Sequence, residues 1–261
     1  MRPLRLASAL AVVTVAMGCD GKNPTAPTGP TPTVLAITGA DAVLTGLSTS
    51  YTVTARLDDG TLKTATATWN SSNPEIATVD GAGRLEGRTH GSVTLTASSR
   101  GQTVSKTIRV VNNYGGTWSG SFDVQRCDAP PGHCAAMEVD WFSFEIYLTI
   151  SQTGTDQSDI KATLQIPSWF DGAYAHISGR VSSDGRLNLA GSSELTSHRR
   201  TWGTFTMEAW DTALSEGAMT GRWAQRLDHL QPPSPPYTEY MENELLTMKL
   251  VSSTVGATST R

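Results

Sequence analysis

From Val34 to Val111 apolar and polar positions alternate with period two, in Thr-, Val- and Ala-rich runs that turn residues interrupt every eight to twelve positions. That spacing predicts the short strands of a small β-sandwich. Tyr51 to Leu57 alternates and then meets Asp58-Asp59-Gly60, a hairpin signal. Further strands are predicted over Thr66 to Trp69, Ile76 to Val79, Ser92 to Ala97 and Thr103 to Val111. Beyond Asn112 the same period continues in longer runs. Eight strands are predicted there, over 117–125, 141–151, 160–166, 175–182, 186–192, 201–211, 217–227 and 243–251. The clearest puts Phe142, Phe144, Ile146, Leu148 and Ile150 on one face and Ser143, Glu145, Tyr147 and Thr149 on the other. Connections such as Ser183-Asp184-Gly185 are short, so the strands should pair sequentially and antiparallel. Eight strands with one dry face each bury it by closing into an up-and-down barrel, which also removes exposed strand edges.

The chain's two ends read differently. Arg2 and Arg5 precede an apolar stretch from Leu6 to Met17 and then Gly18-Cys19, the plan of a secretory signal. The ending Val15-Ala16-Met17-Gly18-Cys19 resembles a bacterial lipobox, although Met17 and Ala16 depart from its usual residues. The resemblance implies that residues 1–18 are a lipoprotein signal peptide and that Cys19 is lipidated. Acyl chains, at about 0.8 kcal/mol per buried methylene, would hold the chain on a membrane. Asp20 resembles an inner-membrane retention signal of some bacteria, and inner and outer membrane both stay open. Residues 19–33 then form a lipid-anchored Pro/Thr-rich linker, with prolines at 24, 27, 30 and 32. Such a segment buries no core; as extended chain of ~3.1 Å per residue it is a stalk roughly 40 Å long. Residues 253–261 are small and polar and are expected to be a disordered tail.

Charge narrows the partners. The 261 residues carry 20 Lys+Arg against 24 Asp+Glu, and removing residues 1–18 with their two Arg takes the net charge from -4 to -6. No Lys/Arg cluster exceeds Arg199-Arg200, so nothing offers a phosphate backbone a footprint and no nucleic-acid partner is expected. Past the signal no apolar run reaches the roughly 20 residues of a membrane-spanning helix.

Trp69-Asn-Ser-Ser-Asn-Pro-Glu-Ile-Ala-Thr-Val-Asp-Gly81, then Gly83-Arg-Leu-Glu-Gly87 and Gly91-Ser-Val-Thr-Leu-Thr-Ala97, closely resembles the bacterial immunoglobulin-like group 2 (BIG2) family. The resemblance covers residues 34–111 and implies an immunoglobulin-like sandwich serving as a spacer or adhesive unit on a bacterial surface. In that fold Trp69 would be the large plug between sheets, and Asn73-Pro74 would set a turn. Asp58, Asp59 and Asp80 read as hairpin-turn residues or, alternatively, as calcium ligands at a domain end. The fold class is therefore all-β, an immunoglobulin-like sandwich at 34–111 followed by an antiparallel eight-stranded barrel at 112–252.

The second half holds six of the seven Trp and seventeen of the twenty-four acids, so it has a core of its own. Its glycines at 116, 120, 179, 191 and 221 give it a weak likeness to avidin-like and lipocalin-like barrels, which carries over no ligand residues. With Cys19 lipidated, Cys127 and Cys134 are the remaining cysteines of an exported chain and are expected to form a disulfide. Cys127, His133 and Cys134 as metal ligands is the alternative; no second Cys or His pair supports it, and no metal or other cofactor is expected. No Gly-x-Ser-x-Gly, His-Glu-x-x-His, Walker or dinucleotide pattern occurs, and the carboxylates Glu138/Asp140 and Glu239/Glu242/Glu244 are paired by count alone. The chain is not expected to be an enzyme. What remains is binding: Trp118, Trp202, Trp210 and Trp223 lie on strands, and an alternating strand would put Trp202, Thr204, Thr206, Glu208 and Trp210 on one face. Trp118, Trp202, Thr204, Glu208, Trp210 and Trp223 are accordingly the candidate ligand residues. A barrel filled by its own side chains is the competing reading. The loop Gln231-Pro-Pro-Ser-Pro-Pro-Tyr237 reads as a partner-facing lip or a stiff connection. The sequence thus points to a non-catalytic envelope lipoprotein that displays an interaction or adhesion module on an immunoglobulin-like spacer, meeting a cell-surface macromolecule; a barrel carrying a small ligand is its rival.

Overall fold

The structure is a computed structural model that describes residues 32–134, 143–155, 160–170, 173–197, 200–230 and 236–253. The signal peptide, Cys19 and most of the linker and tail lie outside the described residues, as do Glu138, Asp140 and residues 231–235 of the proline loop.

The first unit comprises β1 (Pro32–Thr38), β2 (Ala42–Leu44), β3 (Ser48–Ser50), β4 (Thr52–Leu57), β5 (Leu62–Ala65), β6 (Thr68–Ser71), β7 (Ala77–Val79), β8 (Arg84–Gly87), β9 (Gly91–Ser99) and β10 (Gln102–Val111). They form sheets of order β1-β4-β5, β2-β10-β9-β6 and β3-β8-β7. Pairing is antiparallel except that β2 runs parallel to β10. The inward positions of the alternating strands, among them Tyr51, Leu85, Val93, Leu95, Ile108 and Val110, make the core. The aromatic plug is Tyr51, 1% exposed, with its hydroxyl donating to Ala40 O at 2.9 Å. Trp69, expected in that role, packs against the core while only partly buried. Gly83 explains where it goes: at φ +83° it leaves room for the indole, and a Cβ there would lie 2.9 Å from Trp69 and 2.5 Å from Tyr51 O. The aspartates serve turns. Asp59 Oδ1 accepts from Thr61 N and Oγ1, and Asp80 Oδ1 accepts from Ala82 N and Arg84 N.

The second unit is a closed antiparallel barrel of eight strands: β11 (Gly116–Asp128), β12 (Phe144–Gln152), β13 (Ile160–Gln165), β14 (Ala175–Val181), β15 (Leu187–Ser197), β16 (Arg200–Ser215), β17 (Ala218–His229) and β18 (Tyr237–Ser252), with one helical turn, α1 (Pro167–Phe170), before β14. Neighbours in sequence pair, and β18 closes the ring on β11. Trp118, Phe122, Ile146, Leu148, Trp210 and Trp223 fill the interior. Outward positions are polar, such as Glu145, Thr149, Lys161 and Arg222. A barrel apolar within and polar without is the reverse of one that spans a membrane. Strand eight begins six residues earlier than its pattern suggested, because proline denies donors only as far as Pro236 and Tyr237-x-Glu239-x-Met241 already alternates.

The two units share a core. Ala42, Leu44 and Val111 belong to the same apolar cluster as Tyr114, Trp118 and Ile150 of the barrel's near end. Around it Tyr114 Oη and Asn112 Nδ2 both donate to Gly185 O, at 2.8 and 2.9 Å, and His90 Nε2 lies 3.0 Å from Ser183 O. Gln152 bridges the connecting residues, accepting from Tyr114 N and donating to Asn112 O. The order along the molecule follows. Pro32 enters beside Gln102, whose Nε2 donates to Pro32 O, at the end of β10 away from Val111. The chain leaves at Val111 into the barrel's near end, and the ends of β11, β13, β15 and β17 form the far end, its mouth.

Candidate functional site

At the mouth, β11 ends in the Cys127–Cys134 disulfide, Cα–Cα 5.7 Å, which closes a short loop carrying His133. The loop places the His133 ring 4.4 Å from that of Tyr237, which stacks at 4.3 Å and 14° on His229. Trp202 continues the row, 5.9 Å from His229. Beneath these rings lies Glu239, 5% exposed. Its Oε2 is 3.3 Å from His229 Nε2 and its Oε1 3.8 Å from His133 Nδ1. Neither is a hydrogen bond: the first fails on angle, since His229 Nε2 has no hydrogen-bond partner, and the second on length.

From Glu239 a polar line descends into an otherwise apolar barrel. Cross-strand pairs on β17 and β18 are Leu227 with Glu239, Gln225 with Met241 and Trp223 with Asn243, so every layer holds at least one hydrogen-bonding side chain. Gln225 and Asn243 are 0% and 1% exposed. Among the described residues Gln225 Nε2 has only the weak acceptor Met241 Sδ at 3.6 Å, while Gln225 Oε1, both polar atoms of Asn243, and the indole nitrogens of Trp202 and Trp223 have no partner. Buried polar atoms are ordinarily paired, so five such atoms on four side chains in one sector are unusual.

The six residues singled out in the sequence do not form one surface. Trp118 and Trp210 are core residues with satisfied nitrogens, donating to Tyr114 O at 2.8 Å and Thr212 Oγ1 at 2.9 Å. Trp223 lies at the foot of the polar line and Trp202 at the mouth. Thr204 and Glu208 face outward, Glu208 Oε1 lying 3.6 Å from Arg226 Nη1. A β-bulge between Met207 and Ala209 is the reason, because one extra residue reverses the alternation between Thr204 and Trp210. Gln225, Asn243 and His229, which sequence reasoning passed over, and Glu239 and Tyr237, which it named only among the paired carboxylates and at the end of the proline loop, had one signal: they occupy the same phase as Leu227, Met241 and Leu245. Among the described residues no group of three or more His, Cys, Asp or Glu could hold a metal ion, and the cysteines proposed as ligands are bonded to each other. A recess of about 710 Å³ opens between β5 and β6 of the first unit, but its polar lining residues, including Lys63, Thr66 and Arg100, are all partly or fully exposed.

No curated protein matches the chain. Among solved structures it is similar to domains 5–6 of the S-layer protein SbsC, at 14% identity over 82% of this chain and 98% of that one, TM-score 0.29. The structure of SbsC domains 4–9 gives 14% identity and TM-score 0.30 over 82% of this chain and 31% of that one. Human protocadherin-24 EC1-2 gives 10% identity over 81% and 95%, TM-score 0.26. Superpositions this loose carry no argument about what the chain does. The family match is narrower and firm: residues 37–110 match the bacterial Ig-like domain (group 2) family.

Proposed function

We propose that the chain is a non-catalytic bacterial envelope lipoprotein, held on a membrane by lipidated Cys19, whose immunoglobulin-like unit is a stiff spacer displaying the barrel mouth to a partner at the cell surface. One observation carries this reading: Pro32, the first described residue, lies at the end of the spacer opposite the barrel, and spacer and barrel share a core, so a stalk leading to Pro32 would put anchor, spacer, barrel and mouth in series. A shared core resists bending where a flexible linker would not. The aromatic row at the mouth, with the polar rim of a disulfide loop, is the sort of surface that interfaces use.

Fractionation of cells expressing the full chain tests the anchor. Wild type should pellet with membranes and resist salt washing, and Cys19→Ala should move to the soluble fraction. Identical fractionation of the two would overturn the lipoprotein reading. For display, antibodies against the Cys127–Cys134 loop should label intact cells carrying the wild-type chain, whereas labelling only after permeabilisation would place the mouth away from the surface.

A further inference from the structure

We propose that the barrel mouth binds a small hydroxylated amine, with its ammonium group at Glu239 and its hydroxyls toward Gln225, the next polar side chain below it. This goes beyond display of the barrel and does not depend on where the chain is anchored.

The charge comes first. A carboxylate as buried as Glu239 requires a counter-charge. Among the described residues its ion-pair neighbours are two imidazoles, neither in hydrogen-bonding geometry, and no Lys or Arg. A ligand ammonium would supply the missing charge and N–H donors together. The surrounding rings suit it, since Tyr237 and Trp202 offer π-faces to a cation excluded from water.

The hydroxyls follow from the deeper groups. Among the described residues the acceptor Gln225 Oε1 has no partner, Gln225 Nε2 has only Met241 Sδ, and at the mouth the Trp202 indole donor has none. A hydroxyl both donates and accepts, so a polyol satisfies such a mixture, whereas an alkyl amine would leave it unpaired. Leu227 and Met241 flank the line and match the ligand's carbon frame.

The test compares serinol (2-amino-1,3-propanediol) with glycerol, in which a hydroxyl replaces the amine, by calorimetric titration of the full chain carrying Cys19→Ala. Serinol should bind saturably and roughly tenfold more tightly than glycerol. Glu239→Gln should remove that preference, and Trp202→Phe should weaken serinol binding while leaving the circular dichroism of the barrel unchanged. Equal binding of the two probes, or no binding by a folded chain, would overturn the proposal. A second readout needs no ligand. If Glu239 awaits a cation, Glu239→Gln should raise the melting temperature of the free protein by about 2 °C or more, because it removes an uncompensated charge. A lowered melting temperature would mean that His133 and His229 already compensate it, and would also overturn the proposal. Both readouts concern the mouth alone, so their failure would leave the anchoring and surface-labelling results standing.

Discussion

Tyr114 is wholly buried where the two units meet, and its hydroxyl donates to Gly185 O. Burial pushes its phenol up to about 12, and burial together with the Asp41 carboxylate does the same for Tyr51, also to about 12. In the unfolded chain both titrate near 10. The folded state therefore holds these protons more tightly, and the resulting stability is complete below pH ~10 and is lost as pH rises through about 12. Urea unfolding at a series of pH values should show stability falling across that window. Tyr114→Phe should make the fall shallower, leaving Tyr51, with Tyr237 and Tyr240, whose phenols burial also pushes up, to account for the rest, and should cost about 1 kcal/mol at neutral pH through the lost hydrogen bond. An unchanged slope would mean that Tyr114 ionises freely in the folded protein.

Among the elements, the Cys127–Cys134 loop and the strand interiors make distinct predictions. The disulfide closes a loop whose ends are seven residues apart, worth about 2–3 kcal/mol in the chain-entropy model. Replacing both cysteines by serine should lower barrel stability by that order in chemical denaturation and should leave His133 free of Tyr237. Trp118→Ala, at 2% exposure in the filled end of the barrel, should cost about 3–5 kcal/mol. Strand periodicity made most of this architecture legible beforehand, because Ile146, Leu148 and Ile150 alternate without interruption. Reading failed where the backbone adds a residue or the chemistry mixes. The bulge at Glu208 leaves no mark in the residue pattern, since it depends on β17 across the sheet. The polar line was missed because Gln225 and Asn243 stand in core phase, where a period-two reading counts them as breaks in the apolar face. Trp69 misled for a related reason: a large aromatic reads as core, and the space that Gly83 opens at the edge is visible only in three dimensions.

For the whole molecule, stiffness at the joint decides whether the barrel mouth is displayed at a fixed distance from the stalk. Gly185 is its hinge point. It has φ +84°, and a Cβ there would lie 2.8 Å from the His90 ring and 3.1 Å from Asn112 Nδ2. Gly185→Val should therefore cost about 1–2 kcal/mol in backbone strain alone and force the hairpin off the spacer while leaving each unit's own core intact. The most direct measurement is the distance distribution between spin labels placed at Leu62 on the spacer and Leu230 at the mouth, both exposed, read by pulsed dipolar spectroscopy in the Cys19→Ala chain. One narrow distribution that broadens in Gly185→Val is the predicted result, and a distribution already broad with Gly185 in place would contradict the rigid spacer on which the proposed function rests.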